Sequence, residues 1–389
     1  MQSQSPPQGG FFIFMDTQAI IALTKKLMAV QSVTTNHEKL HEVIAIVKKE
    51  LAGFHIQEFE SNGVPSLVVS NGTETKHFQI LLNAHIDVVP ANTEGFRIYE
   101  EDGRLYGRGG YDMKAATAVM IFLFKELAKR VPYSLGLQIV TDEEIGGYDG
   151  TIHQIYQGIR GDFIITGEPT NLEIRNKAKG ILNLAVTAKG VSAHGGYPWR
   201  GENAIMKMQE FLAKLHQQLP TPEGPEWRTT ANVAQIRTTN TTFNKVPADC
   251  TAQIDIRYIP EERETILPKM QKMLTEDFSL EVLFFVPAML TSEKNFYVSL
   301  LQKVSKKSLG KALPFGVAHA ASDMRSFQEV GCPGIEFGLD GHNHHSDDEY
   351  ITLSSITRYY EVLREFLLQI KKRDTIVEFK QATLQAPLP

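Results

Sequence analysis

An apolar run of strand length, Phe78-Gln-Ile-Leu-Leu82, continues through Asn83-Ala84 into His85-Ile-Asp87 and is stopped at Pro90. A strand of this kind reads as a buried strand of a parallel sheet. Such a strand delivers its last side chains to the carboxyl edge of the sheet, where open α/β folds keep their ligands. His85 can bind a metal through a neutral imidazole nitrogen, and a carboxylate two residues on can fix its tautomer or orient it. Four later segments repeat the arrangement of apolar run, then acid or His, then turn residues. That repetition points to an α/β fold with a polar site along one edge of its sheet.

The chain has 389 residues, enough for two domains. Its 42% hydrophobic and 22% charged content is that of an ordinary globular protein. A net charge of -5 and the absence of a basic run resembling a nucleic-acid patch give no reason to expect nucleic acid or an anionic membrane as partner. No apolar run approaches the ~20 residues of a membrane span. Cys250 and Cys332 are far apart, which is neither a disulfide framework nor a thiolate zinc site, and fits a reducing, cytoplasmic compartment. Residues 1–15 read as a disordered leader, because 1–10 are polar and rich in Gln, Ser and Pro. Phe11-Phe-Ile-Phe14 is too short for a signal-peptide core, and Met15 is an alternative start.

Helices are expected from Asp16, as N-cap, through Met28, and over 37–51. Short strands follow over 55–59 and 66–70. Leu105-Tyr-Gly-Arg-Gly-Gly-Tyr-Asp-Met-Lys114 leads into an apolar helix over 115–127, with Asp112 either its N-cap or a site residue. A strand over 135–140 runs into Thr141-Asp-Glu-Glu-Ile-Gly-Gly147, and one over 163–166 into Gly167-Glu-Pro-Thr170. The pattern then changes to an alternating strand over 181–188, a helix over 203–219, strands over 231–237 and 249–258, a helix over 261–277 and a strand over 281–286. This β-α-β-β-α-β order is that of a ferredoxin-like domain. It interrupts the strand-then-acid pattern, which resumes after it. The expected organisation is a catalytic domain of 16–178 and 292–375, an inserted domain of 179–291 and a disordered tail of 376–389. Within the second catalytic segment come a helix over 295–309, the loop 316–325, a strand over 333–338 and a last helix over 354–371.

The polar residues at the strand ends are His85, Asp87, Asp112, Glu143, Glu144, Glu168 and His345. Two His with several carboxylates suit Zn²⁺, with Co²⁺ or Mn²⁺ as alternatives. One carboxylate can bridge two ions about 3.5–4 Å apart, and a spare Glu can take a proton from water, the division of labour in metal-assisted amide hydrolysis.

These residues resemble the zinc-dependent family that contains acetylornithine deacetylase, succinyl-diaminopimelate desuccinylase, aminoacylase, carboxypeptidase G and the bacterial di- and tripeptidases. Seven motifs occur in family order: His-x-Asp, Gly-Arg-Gly-x-x-Asp-Met-Lys, Asp-Glu-Glu-x-Gly, Gly-Glu-Pro-Thr, Gly-x-x-Ala-His-Gly-Gly-x-Pro, Ser-Asp-x-Arg and His-Ser-x-Asp-Glu-Tyr. The resemblance implies a mainly parallel-sheet zinc-hydrolase domain with an inserted lid and dimerisation domain. It implies that His85, Asp112 and Glu168 hold one zinc, and Asp112, Glu144 and His345 the other. Glu143 would be the general base and then acid, Asp87 would orient His85, and a cis peptide would follow Asp112. His194 would donate to the developing oxyanion, often from the other subunit of a homodimer. Arg325 and Arg257 are candidates to clamp a substrate carboxylate and Asn232 to line the site; either arginine could instead be an ion-pair partner. The family pattern fits His345 rather than His342 or His344, and His319 has no assigned role. Tyr111, before Asp112, departs from the smaller or more polar residue of many relatives.

The expected reaction is hydrolysis of an amide next to a carboxylate in a small N-acyl amino acid or short peptide. Deacylase and dipeptidase or exopeptidase share every motif above. A non-catalytic binding protein on the same fold would lack the base or a ligand, and neither is missing. A dinucleotide-binding fold fails because Gly107-Arg-Gly-Gly110 does not match Gly-x-Gly-x-x-Gly between strand and helix.

Overall fold

The computed structural model describes residues 16–73, 75–318 and 322–372. The expected leader, the expected tail and His319 lie outside them. Among the described residues no helix is long and apolar enough to cross a membrane.

The strand Ile80–His85 lies inside a nine-stranded sheet, parallel to Leu135–Val140 on one side and to Ile164–Thr166 on the other. Gly334–Glu336 extends this parallel centre beside Ile164–Thr166. The hairpin His55–Ser61 and Val64–Ser70 joins one flank antiparallel, and Ile174–Ala178 joins the other. Every residue of Ile80–His85 is buried. Ile80, Leu82 and Ala84 pack with Ala118, Ile121 and Phe124 of helix Ala115–Leu127 in the main core, while Leu81 joins Ile164, Met324 and Phe327 on the opposite face. Two covered faces explain a continuous apolar run in place of alternation. Removing one ring from this core, as in Phe124→Ala, would cost about 3–5 kcal/mol.

The inserted segment forms its own four-stranded antiparallel sheet, ordered Thr230–Arg237, Asp249–Tyr258, Gly180–Lys189, Phe278–Val286. Helices Ala204–Gln218 and Arg263–Lys272 complete the ferredoxin-like order. Phe211, Ile266 and Met270 of these helices pack with the inward residues Leu182, Leu184, Ile254 and Ile256. The second helix is shorter than the reading of 261–277, because Pro260–Glu262 forms a separate 3₁₀ turn and the helix stops at Lys272. Strand Met289–Leu290, read from the sequence as part of the insertion, already pairs with Ile174–Ala178 of the large sheet.

Candidate metal centre and active site

His85 ends the central strand and is 1% exposed. Its Nδ1 lies 3.3 Å from Asp87 Oδ1, and its Nε2 lies 3.0 Å from Asp112 Oδ1. Asp87 is fully buried and held in place: it accepts from Thr34 Oγ1 at 2.8 Å and from the backbone N–H groups of Glu143 and Glu144 at 3.3 and 3.2 Å. One carboxylate therefore sets the imidazole and the acidic loop together.

Asp112 does not cap helix Ala115–Leu127. The residue before that helix is Lys114, which makes no side-chain cap, and Asp112 itself has non-helical backbone angles. The capping alternative fails because the Asp112 carboxylate is engaged elsewhere. Its Oδ2 lies 3.3 Å from His345 Nε2, which is also 3.1 Å from Glu144 Oε2. The Asp112–Met113 peptide is cis.

Donor atoms of His85, Asp112 and Glu144 all lie within 4.8 Å of one another, as do those of His85, Glu143 and Glu168. These groupings place His85 with both glutamates of the acidic loop, whereas the resemblance pairs His85 with Asp112 and Glu168. Glu168 is 9% exposed, and its Oε1 has no hydrogen-bond partner among the described residues. The electrostatics are those of a crowded acidic site. Burial pushes Glu143 and Glu168 well above the usual carboxylate range; the Glu143 charge adds to the rise at Glu168, and His85 opposes both. His85 is raised well above its ordinary value: burial opposes, but the bonds to Asp112 and Asp87 prevail. His345 is pushed up to about 10 by its bonds to Asp112 and Glu144. Asp112 is lowered, burial being overcome by its two imidazole partners. A set of imidazole and carboxylate donors, largely buried apart from the half-exposed His345 and with one carboxylate oxygen unpartnered, is a donor set that a divalent cation satisfies.

The peptide leading into Asp112 is held by a pair without an expected role. Arg108 Nη1 lies 2.5 Å from Glu349 Oε2, both side chains being nearly inaccessible. Glu349 Oε1 accepts from the N–H groups of Tyr111 and Asp112 at 2.9 and 3.1 Å. Both residues stand in the quoted motifs, but sequence spacing alone does not reveal that they meet. Tyr111 packs: its hydroxyl donates to Asn171 Oδ1 at 2.7 Å, and its ring edge meets His344.

A cleft of about 350 Å³ is lined by Asp112, Glu143, Glu144, Glu168, His344 and His345, and also by Arg325. The His342 ring lies tilted against that of Tyr350. The other candidates do not line this cleft. His194 is exposed in its loop, where its Nδ1 accepts from Gly196 N. Arg257 pairs with Asp255 at 3.0 Å, the ion-pair alternative, and Asn232 faces Asp255 across the inserted sheet.

Residues 81–369 match the model of peptidase family M20/M25/M40. The chain belongs to that family. It is 30% identical over 361 residues to a succinyl-diaminopimelate desuccinylase of Caulobacter sp. (strain K31), covering 86% of this chain and 92% of that one. It is 28% identical over 382 residues to succinyl-diaminopimelate desuccinylase 2 of Ruegeria sp. (strain TM1040), covering 89% and 94%. Among solved structures, aminopeptidase PepT from Bacillus cereus ATCC 10987 superposes with a TM-score of 0.75 at 19% identity, over 91% of this chain and 98% of that one. A dinuclear metal-binding peptidase of the M20 family from Bacillus subtilis does so with a TM-score of 0.67 at 13% identity, over 90% and 97%. The protein is a metal-dependent hydrolase of this family.

Proposed function

We propose that this hydrolase is an N-acyl-amino-acid deacylase that uses two zinc ions. One observation carries the reading: Asp112 stands between two imidazoles, His85 at 3.0 Å and His345 at 3.3 Å, with Glu143 beside them in the same cleft. His85, Asp112 and Glu168 would hold one ion and Asp112, Glu144 and His345 the second. When bound, such ions polarise a carbonyl and lower the pKa of water.

This chain's residues would do the rest. Asp87 holds His85 in one orientation and fixes the backbone of the base, so Glu143 needs no reorganisation to act. Glu143 takes the proton from the attacking water and returns it to the leaving amine. His194 donates to the oxyanion. Its exposure and its absence from the cleft favour delivery from a second subunit or by closure of the inserted sheet. The inserted sheet supports a homodimer: its edge strand Thr230–Arg237 carries exposed Val233 and Ile236. We further propose a cytoplasmic location, in keeping with two buried free cysteines. We also propose the inserted domain of residues 179–291, a reading that the change of sheet supports.

The names of the relatives above favour an N-succinyl or similar acyl group, while the likeness to an aminopeptidase keeps peptide hydrolysis as the second reading. The test is hydrolysis by zinc-loaded protein of N-acetyl amino acids, N-succinyl amino acids and unblocked dipeptides, each with an EDTA control. Chelator-sensitive cleavage of an N-acyl class is expected. Cleavage of dipeptides alone would establish the second reading, and chelator-insensitive cleavage would contradict both.

A further inference from the structure

Of the proposed metal ligands, only His345 is exposed. Residues 342–348 are all exposed, and the His345 side chain is 49% accessible, whereas His85 and Asp112 are buried. The His345 backbone is left-handed, with φ at 66°, and so is that of Asn343, at 62°. An L side chain adopts that conformation at a cost, and it persists only where surrounding contacts impose it. Apolar packing does not supply those contacts in an exposed loop. His345 Nε2 nevertheless stands 3.3 Å from Asp112 Oδ2 and 3.1 Å from Glu144 Oε2. Those contacts use the nitrogen that faces the proposed ion site, so the chain has to be held elsewhere.

The loop is tied to the turn 92–95. Asn92 Nδ2 donates to Asp347 Oδ2 at 2.6 Å, and Asn92 Oδ1 accepts from Gly95 N at 2.9 Å, which fixes the amide. A longer bond runs from Asn92 N to Asp347 Oδ1 at 3.4 Å. Gly95 lies against the same residue: a Cβ there would stand 2.8 Å from Asp347 Oδ1 and 3.3 Å from its Cα. Gly95 is buried, and its carbonyl accepts from Arg108 N at 2.7 Å. Arg108 in turn pairs with Glu349, where the loop ends. The turn, Arg108, Glu349 and Asp347 form a closed circuit of contacts at the base of the loop. Within the loop, Asn343 Nδ2 donates to Asp348 Oδ2 at 2.8 Å and Ser346 N to Asn343 O at 2.9 Å. Exposed bonds such as Asn92–Asp347 add little to the stability of the whole fold, so their effect is local order.

We propose that Asn92, Gly95 and Asp347 are positioning residues for the metal site of His345: they seat the loop so that its imidazole already meets Asp112 and Glu144 before an ion arrives. The inference rests on the reading of His345 as a ligand. Order imposed in advance removes a cost that binding would otherwise bear. Without the seat, an ion at this site has to order the exposed loop itself, and its affinity falls. The site proposed for His85, Asp112 and Glu168 draws on buried side chains and keeps its affinity.

The test titrates metal-free wild type, Asp347→Ala, Asp347→Asn and Asn92→Ala with Zn²⁺ against a competing chelator, and His345→Ala marks the binding step that belongs to His345. Asp347→Ala and Asn92→Ala are expected to weaken that step roughly ten- to a hundredfold, as removal of partners that orient a ligand does, and to leave the other step unchanged. Asp347→Asn keeps an acceptor for Asn92 Nδ2 and should recover part of the loss. Denaturant unfolding of the metal-free variants should match wild type, which a general loosening of the fold would not. An unchanged His345 step, or equal weakening of both steps, overturns the proposal. Amide exchange of the metal-free proteins tests the seat without any ion. The Ser346 N–H should exchange about tenfold faster or more in Asp347→Ala, as loss of a hydrogen bond to a charged group predicts. Unchanged exchange overturns the seat. If His345→Ala alters neither binding step while exchange quickens, the seat stands and the reading of His345 as a ligand fails.

Discussion

Replacing Glu349 by Ala removes one side of a buried ion pair and the one oxygen that accepts from the N–H groups of Tyr111 and Asp112. The pair is 2.5 Å long, and its side chains are 2% and 0% exposed. Breaking a buried pair from one side costs about 3–5 kcal/mol, because the remaining charge is left in a poor medium. The N–H groups of Tyr111 and Asp112 lose their partner as well, at about 1–3 kcal/mol each where no water replaces it. These contributions overlap, so a loss of at least ~4 kcal/mol is expected for Glu349→Ala. Arg108→Met is expected to be milder, since Glu349 still accepts from both N–H groups. The double variant should be more stable than the sum of the singles by about 1–3 kcal/mol, because it leaves no unpaired charge. Glu349→Gln keeps an acceptor and should lie between wild type and Glu349→Ala. The assay is denaturant unfolding of the metal-free proteins, which keeps metal binding out of the measured stability. A loss below ~1 kcal/mol for Glu349→Ala, or strict additivity of the singles, would refute the reasoning.

Glu143→Gln should retain metal while kcat falls about 10²–10⁴-fold; metal analysis beside steady-state kinetics checks this, and an unchanged kcat removes Glu143 as the base. Chelation should abolish hydrolysis and lower stability, by about 4 kcal/mol against protein holding metal at a thousandfold excess over Kd; unchanged melting would show that no metal binds the native state. Lys114, fully buried, donates to the carbonyls of Leu27 and Val30, and burial lowers it from 10.5 to about 7. Its folded value is below its unfolded one, so the native state sheds a proton in that window and stability rises with pH from about 7 to 10.5. Relative to Lys114→Met, metal-free wild type should therefore gain stability across the window, by at most ~5 kcal/mol; a flat difference contradicts it.

The fold was legible where periodicity is strong. The run at Ile80–His85 named a buried parallel strand, and the strand and helix order after Gly180 named the inserted sheet before its pairing was seen. The short strands Tyr99–Glu101 and Arg104–Tyr106 went unread, because three residues carry no period. Asp112 illustrates the limit of local signals. Its place before an apolar helix fits an N-cap, and only the arrival of His85 and His345 from distant segments shows what the carboxylate meets. The Arg108–Glu349 pair and the opposition of Arg175 to Glu336 are likewise long-range, so spacing along the chain could not expose them. His194, Arg257 and Asn232 lie on the inserted sheet and its loops, where residues of this chain alone do not bring them to the cleft.

The central claim is that Asp112 bridges two metal ions between His85 and His345. The most direct test is anomalous diffraction at the zinc edge from crystals of zinc-loaded protein. Two peaks about 3.5–4 Å apart are expected, with an Asp112 oxygen on each, His85 and Glu168 on one, and Glu144 and His345 on the other. A single peak, or a second one that Asp112 does not touch, would contradict the account.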